Sequence, residues 1–434
     1  MQKTKSIKRI LAVVLALCMV LGLAACGSSN NNNASNSGNT GNNAANNENG
    51  SNTSNTENTD GPAEPDKNYV IRIYSNSNAP DQTKWLTEQA NKAGFKISID
   101  DNTVISGDTQ AIQKAVDNKD GDILFGLNET RWSQLINGSY EGLSIADWTP
   151  SWADKVGDFK YDGKAYGLVI QNVLMLYRTD EAGTDGEELH FDHWSDIVNS
   201  GYTWYRQGKV GGTTNANINS SILYPYTDPE SPAGGISVDG WKTLWKYCAN
   251  GKYTGDSYGF EALNRGDVQI STYFSSELHR SLEAASEHSE YPLTEENLKI
   301  MDIADGTYYI AEYLGVLNRE ERTEAETLQV QAFAEWFGGA ELQAAWAAEF
   351  NTYPCNKDAA EKIYSEVPDI YKIKNFAMNT VEGTEMTYAE YVGEHSFEWT
   401  NILINLGSYW QEEAPEEPDW DNINWEEMVQ RKAD

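Results

Sequence analysis

Between Tyr69 and Phe125 the chain alternates strand and helix patterns, and this alternation restricts the fold more than any other feature. Tyr69-Val-Ile-Arg-Ile-Tyr74 has the β-branched and aromatic content of a strand. Asp81 is placed to cap a helix in which Leu86, Ala90 and Ala93 share a face, and Gly94 is placed to stop it. Phe95 to Ile99 reads as the next strand, Asp108 to Val116 as a second helix and Asp122 to Phe125 as a buried third strand. Strands separated by helices imply an α/β fold with a parallel sheet. In such sheets ligands sit beyond the strand C-termini. That points to Ser75-Asn76-Ser77-Asn78 and to Gly126-Leu127-Asn128-Glu129, two polar loops able to supply hydrogen bonds.

About 365 residues follow Tyr69, more than one hydrophobic core usually organises, so two lobes are expected. Tyr166 to Tyr177, YGLVIQNVLMLY, is too long and too β-rich for one short strand and reads as a crossing between lobes. Tyr308 to Val316 is a second crossing candidate. Ala325, Leu328, Ala332 and Trp336 then keep helical spacing until Gly338-Gly339, and Leu342, Ala345 and Trp346 continue on another helix. There is no internal repeat.

The first 26 residues carry a different kind of signal. Lys3, Lys5, Lys8 and Arg9 precede an almost wholly apolar stretch from Ile10 to Leu23, closed by Leu23-Ala24-Ala25-Cys26-Gly27. This pattern resembles a bacterial lipoprotein signal, in which residues 1–25 are removed and the thiol of Cys26 is acylated. A transmembrane anchor is the other reading, but a span needs about 20 apolar residues. Residues 27–60 follow, with Asn at 14 of 34 positions. Almost nothing there can bury apolar surface, so a disordered tether is expected, ended by Pro62 and Pro65.

The formal charge is −34, and loss of residues 1–25 removes four basic side chains and no acidic one. Nucleic acid and anionic membrane surfaces are poor partners for such a chain. Of four Cys, Cys18 leaves with the signal and Cys26 carries lipid, so only Cys248 and Cys355 could pair. No HExxH, CxxC, Walker A, GxSxG or GxGxxG motif is present. Among five His, only His190 and His193 are close, with Glu187, Glu188 and Asp192 beside them; a solvated turn accounts for them better than a metal site. No catalytic residues, metal or cofactor are expected, although 66 carboxylates leave a glycosidase pair arithmetically open. The 14 Trp and 24 Tyr supply stacking platforms as well as core. Arg265-Gly266-Asp267 is either an adhesion tripeptide on a loop tip or the lead-in to a strand from Val268 to Ser271.

Several stretches, in order, resemble one family: IRIYSNSN (71–78), GDILFGLNE (121–129), AYGLVIQNVLMLYRTD (165–180), GKVGGTTNANINSS (208–221), YGFEALNRGDVQISTYFSSELHR (258–280), GTYYIAEYLGVLN (306–318) and NTYP (351–354). With the acylated Cys and its tether, the chain is similar to substrate-binding lipoproteins of bacterial ABC importers with the two-lobed type II periplasmic binding fold. Within them it resembles the class that binds ferric iron, thiamine or polyamines. The resemblance implies a signal peptide at 1–25, a lipidated tether at 26–66, lobe 1 at 69–172, lobe 2 at 173–307, a return to lobe 1 at 308–356, C-terminal helices mainly on lobe 2 at 357–411, and an acidic tail at 412–434. It implies ligand contacts at Ser75, Asn76, Asn128, Glu129, Gln171, Thr213, Thr214, Asn215, Tyr273, Ser275 and Tyr308. Gly266-Asp267 takes the role of the family's Gly plus acidic residue before a strand.

Where iron-binding members carry two adjacent Tyr, this chain has Tyr273-Phe274. Two Trp of the thiamine-binding members correspond to Asp256 and Asn351, and their phosphate-holding loop differs from GGTTNANIN. The implied function is therefore capture of a small solute, thiamine-like, polyamine-like or otherwise polar or cationic, and its delivery to an ABC permease. YDGKAYGL (161–168) is common in sugar-binding lipoproteins of this fold, so an oligosaccharide is the alternative. The implied state is a monomer on the outer face of the cytoplasmic membrane, held by lipid alone, in a Gram-positive-type bacterium.

Overall fold

The structure, a computed structural model, describes residues 63–75, 80–99, 110–138, 140, 142–161, 163–206, 213–256, 259–287, 289–301, 303–308, 310–407 and 416–430, with the backbone alone at 110, 213–216 and 310. Cys26, the signal and most of the tether lie outside these residues, which all belong to the unit Pro62–Asp434.

The opening elements are β1 (Val70–Ser75), α1 (Pro80–Ala93), β2 (Lys96–Ile99), α2 (Gln110–Asn118), β3 (Ile123–Leu127) and α3 (Glu129–Ile136). The helix before β2 begins at Pro80, whose fixed φ suits a first turn, so Asp81 lies inside that turn rather than at the cap. Gly94 ends it at φ +88°. After β4 (Lys160–Tyr161) come β5 (Ala165–Gln171) and β6 (Val173–Arg178), then α4 (Trp194–Asn199), α5 (Thr213–Leu223), α6 (Val238–Asn250), α7 (Gly259–Arg265), β7 (Ile270–Phe274), α8 (Ser275–Ala284) and β8 (Leu298–Met301). The chain continues through β9 (Ile310–Val316), α9 (Glu324–Gly338), α10 (Ala340–Phe350), β10 (Tyr353–Pro354), α11 (Lys357–Ile363), α12 (Tyr388–Asn405) and α13 (Trp425–Met428).

The larger sheet has the order β10-β5-β9-β3-β1-β2, with β4 on β5. β1 pairs in parallel with β2 and β3, as the alternation predicts. β9 and β5 are antiparallel, because the chain enters or leaves this sheet through them on its way across. The smaller sheet, β7-β6-β8, is antiparallel throughout. YGLVIQNVLMLY thus divides at Asn172: β5 belongs to one sheet and β6 to the other. Apolar side chains around the large sheet form one core, and two further clusters cover the faces of the small sheet. This is a two-lobed α/β structure joined by crossing strands.

Asn172 is held from both sides. Its N–H donates to Ser275 Oγ at 3.0 Å, its carbonyl accepts from Ser275 N–H at 2.9 Å, and its side-chain amide donates to the Ile370 carbonyl. Just ahead of the interior strand β3, buried Asp122 gathers its neighbours: its carboxylate accepts from Arg322 at 3.0 Å, Arg319 at 3.3 Å and Tyr69 at 2.9 Å.

Three expectations resolve differently. The strand after Asp267 is Ile270–Phe274, two residues later than Val268, and Arg265 bonds Asp256 and Asp267 instead of standing on a tip. Cys248 packs in a lobe 2 cluster and Cys355 in the lobe 1 core, both free, so the possible pair does not form. Within 412–434, residues 416–430 are not a bare acidic tail. Trp420, Ile423, Trp425, Met428 and Val429 pack on lobe 2, and Asn401 and Asn405 of α12 donate to the carbonyls of Val429 and Met428, each at 2.9 Å. No helix among the described residues is long and apolar enough to cross a membrane.

Candidate ligand-binding site

The site begins where β3 ends. All five residues of this strand are buried, and Gly126 within it has φ +78°. Glycine takes that conformation without the Cβ penalty. Pairing with β9 shifts register there, which turns the chain out of the ladder and into α3. Asn128 caps this helix, its Oδ1 accepting from Arg131 N–H at 3.1 Å. The Arg131 guanidinium is steered by Gln134, donating to its Oε1 at 2.9 Å.

Facing α3 is α5, whose sequence TTNANINSSIL is rich in residues that favour caps over helix interiors. Asn217 and Asn219 are 2% and 6% exposed. Ser221 Oγ donates to the Asn217 carbonyl at 2.8 Å and accepts from Tyr308 N–H at 2.8 Å, tying this helix to the second crossing segment. The Tyr308 hydroxyl lies 2.7 Å from Thr130 Oγ1 on α3. α12 supplies the third wall and touches α3 directly, Gln134 Nε2 donating to the Gly393 carbonyl at 3.0 Å and Ser396 Oγ at 2.7 Å.

These elements enclose about 120 Å³ between the lobes. Asn128, Thr130 and Arg131 line it from lobe 1; Asn217, Asn219, Ser220 and Tyr308 line it from lobe 2, with Leu223, Val392, Trp399 and Leu403 as the apolar part. Asn217 Nδ2 and Asn219 Oδ1 are buried and have no hydrogen-bond partner. An unmet buried polar atom costs about 1–3 kcal/mol, so both atoms favour occupation of the space beside them. A second, more open space of about 730 Å³ lies between Asp158 and Tyr161 on one side and Asn379, Thr387 and Glu390 on the other. Much of its polar lining is already engaged. Glu390 accepts from Thr387 N–H at 2.8 Å, Asn379 donates to Tyr224 at 3.0 Å, and Tyr161 donates to the Glu129 carbonyl at 2.9 Å.

Of the residues expected from sequence, Asn128 and Tyr308 meet in the smaller cavity. Ser75 ends β1 and is 1% exposed. Glu129 lies behind the wall: its Oε1 accepts from Ala311 N–H at 2.7 Å and Tyr313 OH at 3.4 Å, and its Oε2 has no partner. Burial pushes this carboxyl up to about 8. Gln171 donates to Glu312 on the neighbouring crossing strand. Ser275 secures the hinge at Asn172.

Tyr273 differs from expectation. It is 6% exposed, packs on Phe260 with ring centroids 5.3 Å apart, and its hydroxyl meets Ser281 Oγ at 2.7 Å. Strand alternation sends its ring into the lobe 2 core and not across the cleft. Asn76 lies outside the described residues. Thr213, Thr214 and Asn215 form the first turn of α5, described as backbone. Thr130, Arg131, Asn217, Asn219 and Ser220 were missed from sequence, though Asn and Ser at helix-interior positions were a legible signal for the last three. His193 bonds Asp305 at 2.9 Å in the solvated turn, and the described residues contain no group of three or more acidic, His or Cys ligands fit for a metal.

A parallel half-sheet extended by antiparallel crossing strands, with polar groups of both lobes converging at its edge, defines a type II periplasmic ligand-binding protein. Residues 84–372 match the family described as bacterial extracellular solute-binding protein, and the chain belongs to that family. A probable ABC transporter periplasmic-binding protein of Sinorhizobium fredii is 24% identical over 314 residues, 70% of this chain and 80% of that one. Ferric iron-binding protein A of Mannheimia haemolytica, in an open conformation, shares the fold with TM-score 0.55 at 14% identity, covering 79% of this chain and 99% of its own. A Trichodesmium protein in complex with iron and citrate ligands gives 0.54 at 13% identity, with 78% and 99% covered. A periplasmic binding protein of Actinobacillus pleuropneumoniae with fructose-6-phosphate bound gives 0.50 at 15% identity, with 77% and 98% covered.

Proposed function

We propose that this protein captures a small polar solute between its lobes and hands it to the permease of an ABC importer, doing no chemistry on it. The observation that carries the reading is the cavity where Asn128 and Thr130 of lobe 1 face Asn217, Asn219 and Tyr308 of lobe 2, with two buried amide atoms unmet. A solute bonded to both walls would favour the lobe arrangement that brings them together, which is ligand-selected hinge closure. Family membership and the Sinorhizobium fredii relative's name support the importer as the destination. Anchorage through acylated Cys26, as a monomer on the outer face of the membrane, rests on the lipoprotein-like start of the sequence.

The described cavity is well below the roughly 300–1,000 Å³ of pockets that hold drug-sized ligands. That favours a solute of few non-hydrogen atoms over an oligosaccharide. The same comparison disfavours iron, since the lining contains amides and hydroxyls, one guanidinium and no carboxylate or His. Native mass spectrometry of freshly purified protein tests the reading. A copurifying small molecule, released on unfolding and lost from Asn217→Ala, is the expected result. Turnover of glycosides or esters that tracks the purified chain would refute it.

A further inference from the structure

We infer that the captured solute is a small oxyanion, carrying a carboxylate or phosphate group, and not the cation that the resemblance suggested. The inference rests on the capture reading and specifies its ligand class. Arg131 is the one charged residue among the described groups lining the cavity, and no carboxylate is among them. It sits in the first turn of α3, at the end where the helix dipole favours negative charge. Its guanidinium is held by Gln134 at 2.9 Å.

Glu129 is buried behind the wall, and burial raises its carboxyl to about 8. At neutral pH it is mostly uncharged, so it cancels little of the positive field. A cation entering this space would meet the like charge of Arg131, and the described lining residues include no carboxylate to receive it. An oxyanion would meet Arg131 and the orphan donor Asn217 Nδ2, while the orphan acceptor Asn219 Oδ1 suits a hydroxyl or N–H elsewhere on the same molecule. Leu223, Val392 and Leu403 fit a short apolar portion. The net charge of −34 opposes anions at long range. At physiological salt that field is screened beyond roughly 8 Å, so the groups lining the cavity decide.

The test uses purified full-length protein in a buffer free of oxyanions. Melting and calorimetry are followed with lactate and glycerate, with inorganic phosphate and glycerol phosphate, with glycerol as the neutral member, and with ethylenediamine and choline as cations. At least one oxyanion is expected to raise the melting temperature, the carboxylate and phosphate arms separating the two sources. Arg131→Gln should weaken its binding roughly ten- to a hundred-fold, as loss of a charge-assisted bond does. Arg131→Lys keeps the charge and should recover part of the affinity, and a melt of each empty variant checks that it folds. No response to either oxyanion class, a response confined to the amines, or equal binding by Arg131→Gln overturns the inference. A neutral or cationic solute found by native mass spectrometry would remove the charge class while leaving capture itself intact.

Discussion

Glu129 shows how one buried side chain ties stability to pH. It was expected to touch ligand, but the structure places it behind the cavity wall, where its Oε1 serves Ala311 N–H and Tyr313 while its Oε2 has no partner. Burial raises its native value to about 8 from 4.5. Between these values the native state holds a proton that the unfolded chain has released, so stability is full below pH 4.5 and falls as pH rises to 8. The slope approaches about 1.4 kcal/mol per pH unit. Urea unfolding at pH 5, 6.5 and 8 should show Glu129→Gln gaining on the parent as pH rises, with the gap closing at low pH. A parallel dependence in both proteins would mean the carboxyl ionises freely. Tyr273 teaches a related lesson: a Tyr after a family-like Gly-Asp pair looked like a ligand platform, yet its place on the strand buries it against Phe260.

At the scale of elements, the decisive contact is α12 against α3. A Cβ on Gly393 would lie 3.2 Å from the Thr130 carbonyl and 3.3 Å from Ser133 Oγ, so glycine permits this close approach. The contact joins a lobe 2 helix to the helix that presents Arg131. Gly393→Leu should act as a wedge, since leucine suits a helix interior and only the contact suffers. Small-angle scattering is expected to report a larger radius of gyration, and solute affinity should drop at least tenfold, with secondary structure unchanged. An unaltered radius with full affinity would show that α12 does not set the lobe spacing. The opening strands and helices, the two crossings and the run of α9 and α10 were legible, while most helices of lobe 2 were not. Gly339 ends α9, as the sequence leads one to expect, and Thr323 and Glu326 cap its start reciprocally at 3.3 and 2.7 Å. What local sequence did not carry was that 416–430 folds back on α12, because that contact joins positions with no periodicity in common.

For the whole molecule, the resemblance of residues 1–27 to a lipoprotein signal implies a lipid at Cys26 ahead of the binding unit. That implied anchorage predicts that retention at the membrane depends on Cys26. Cys26→Ser is expected to move the protein from the membrane fraction into the medium, still folded and still able to bind its solute. If the variant stays with the membrane, another anchor holds it.

The sequence by itself determined the fold class, the succession from β1 to β3, the two crossings and the helical run of α9 and α10. Strand and helix periodicities, caps and terminating glycines act over a few residues, and the ordered motifs from 71 to 354 placed them in one family. The loop after the third strand drew attention to Asn128 and the family resemblance to Tyr308, and both line the cavity. Only the tertiary structure decided which polar side chains meet. Arg131 and Asn217 are 86 positions apart in the chain and line one cavity, while Tyr273 and Glu129 turn inward. That choice depends on which face of each element the two lobes press together, and such long-range packing leaves no mark in local pattern.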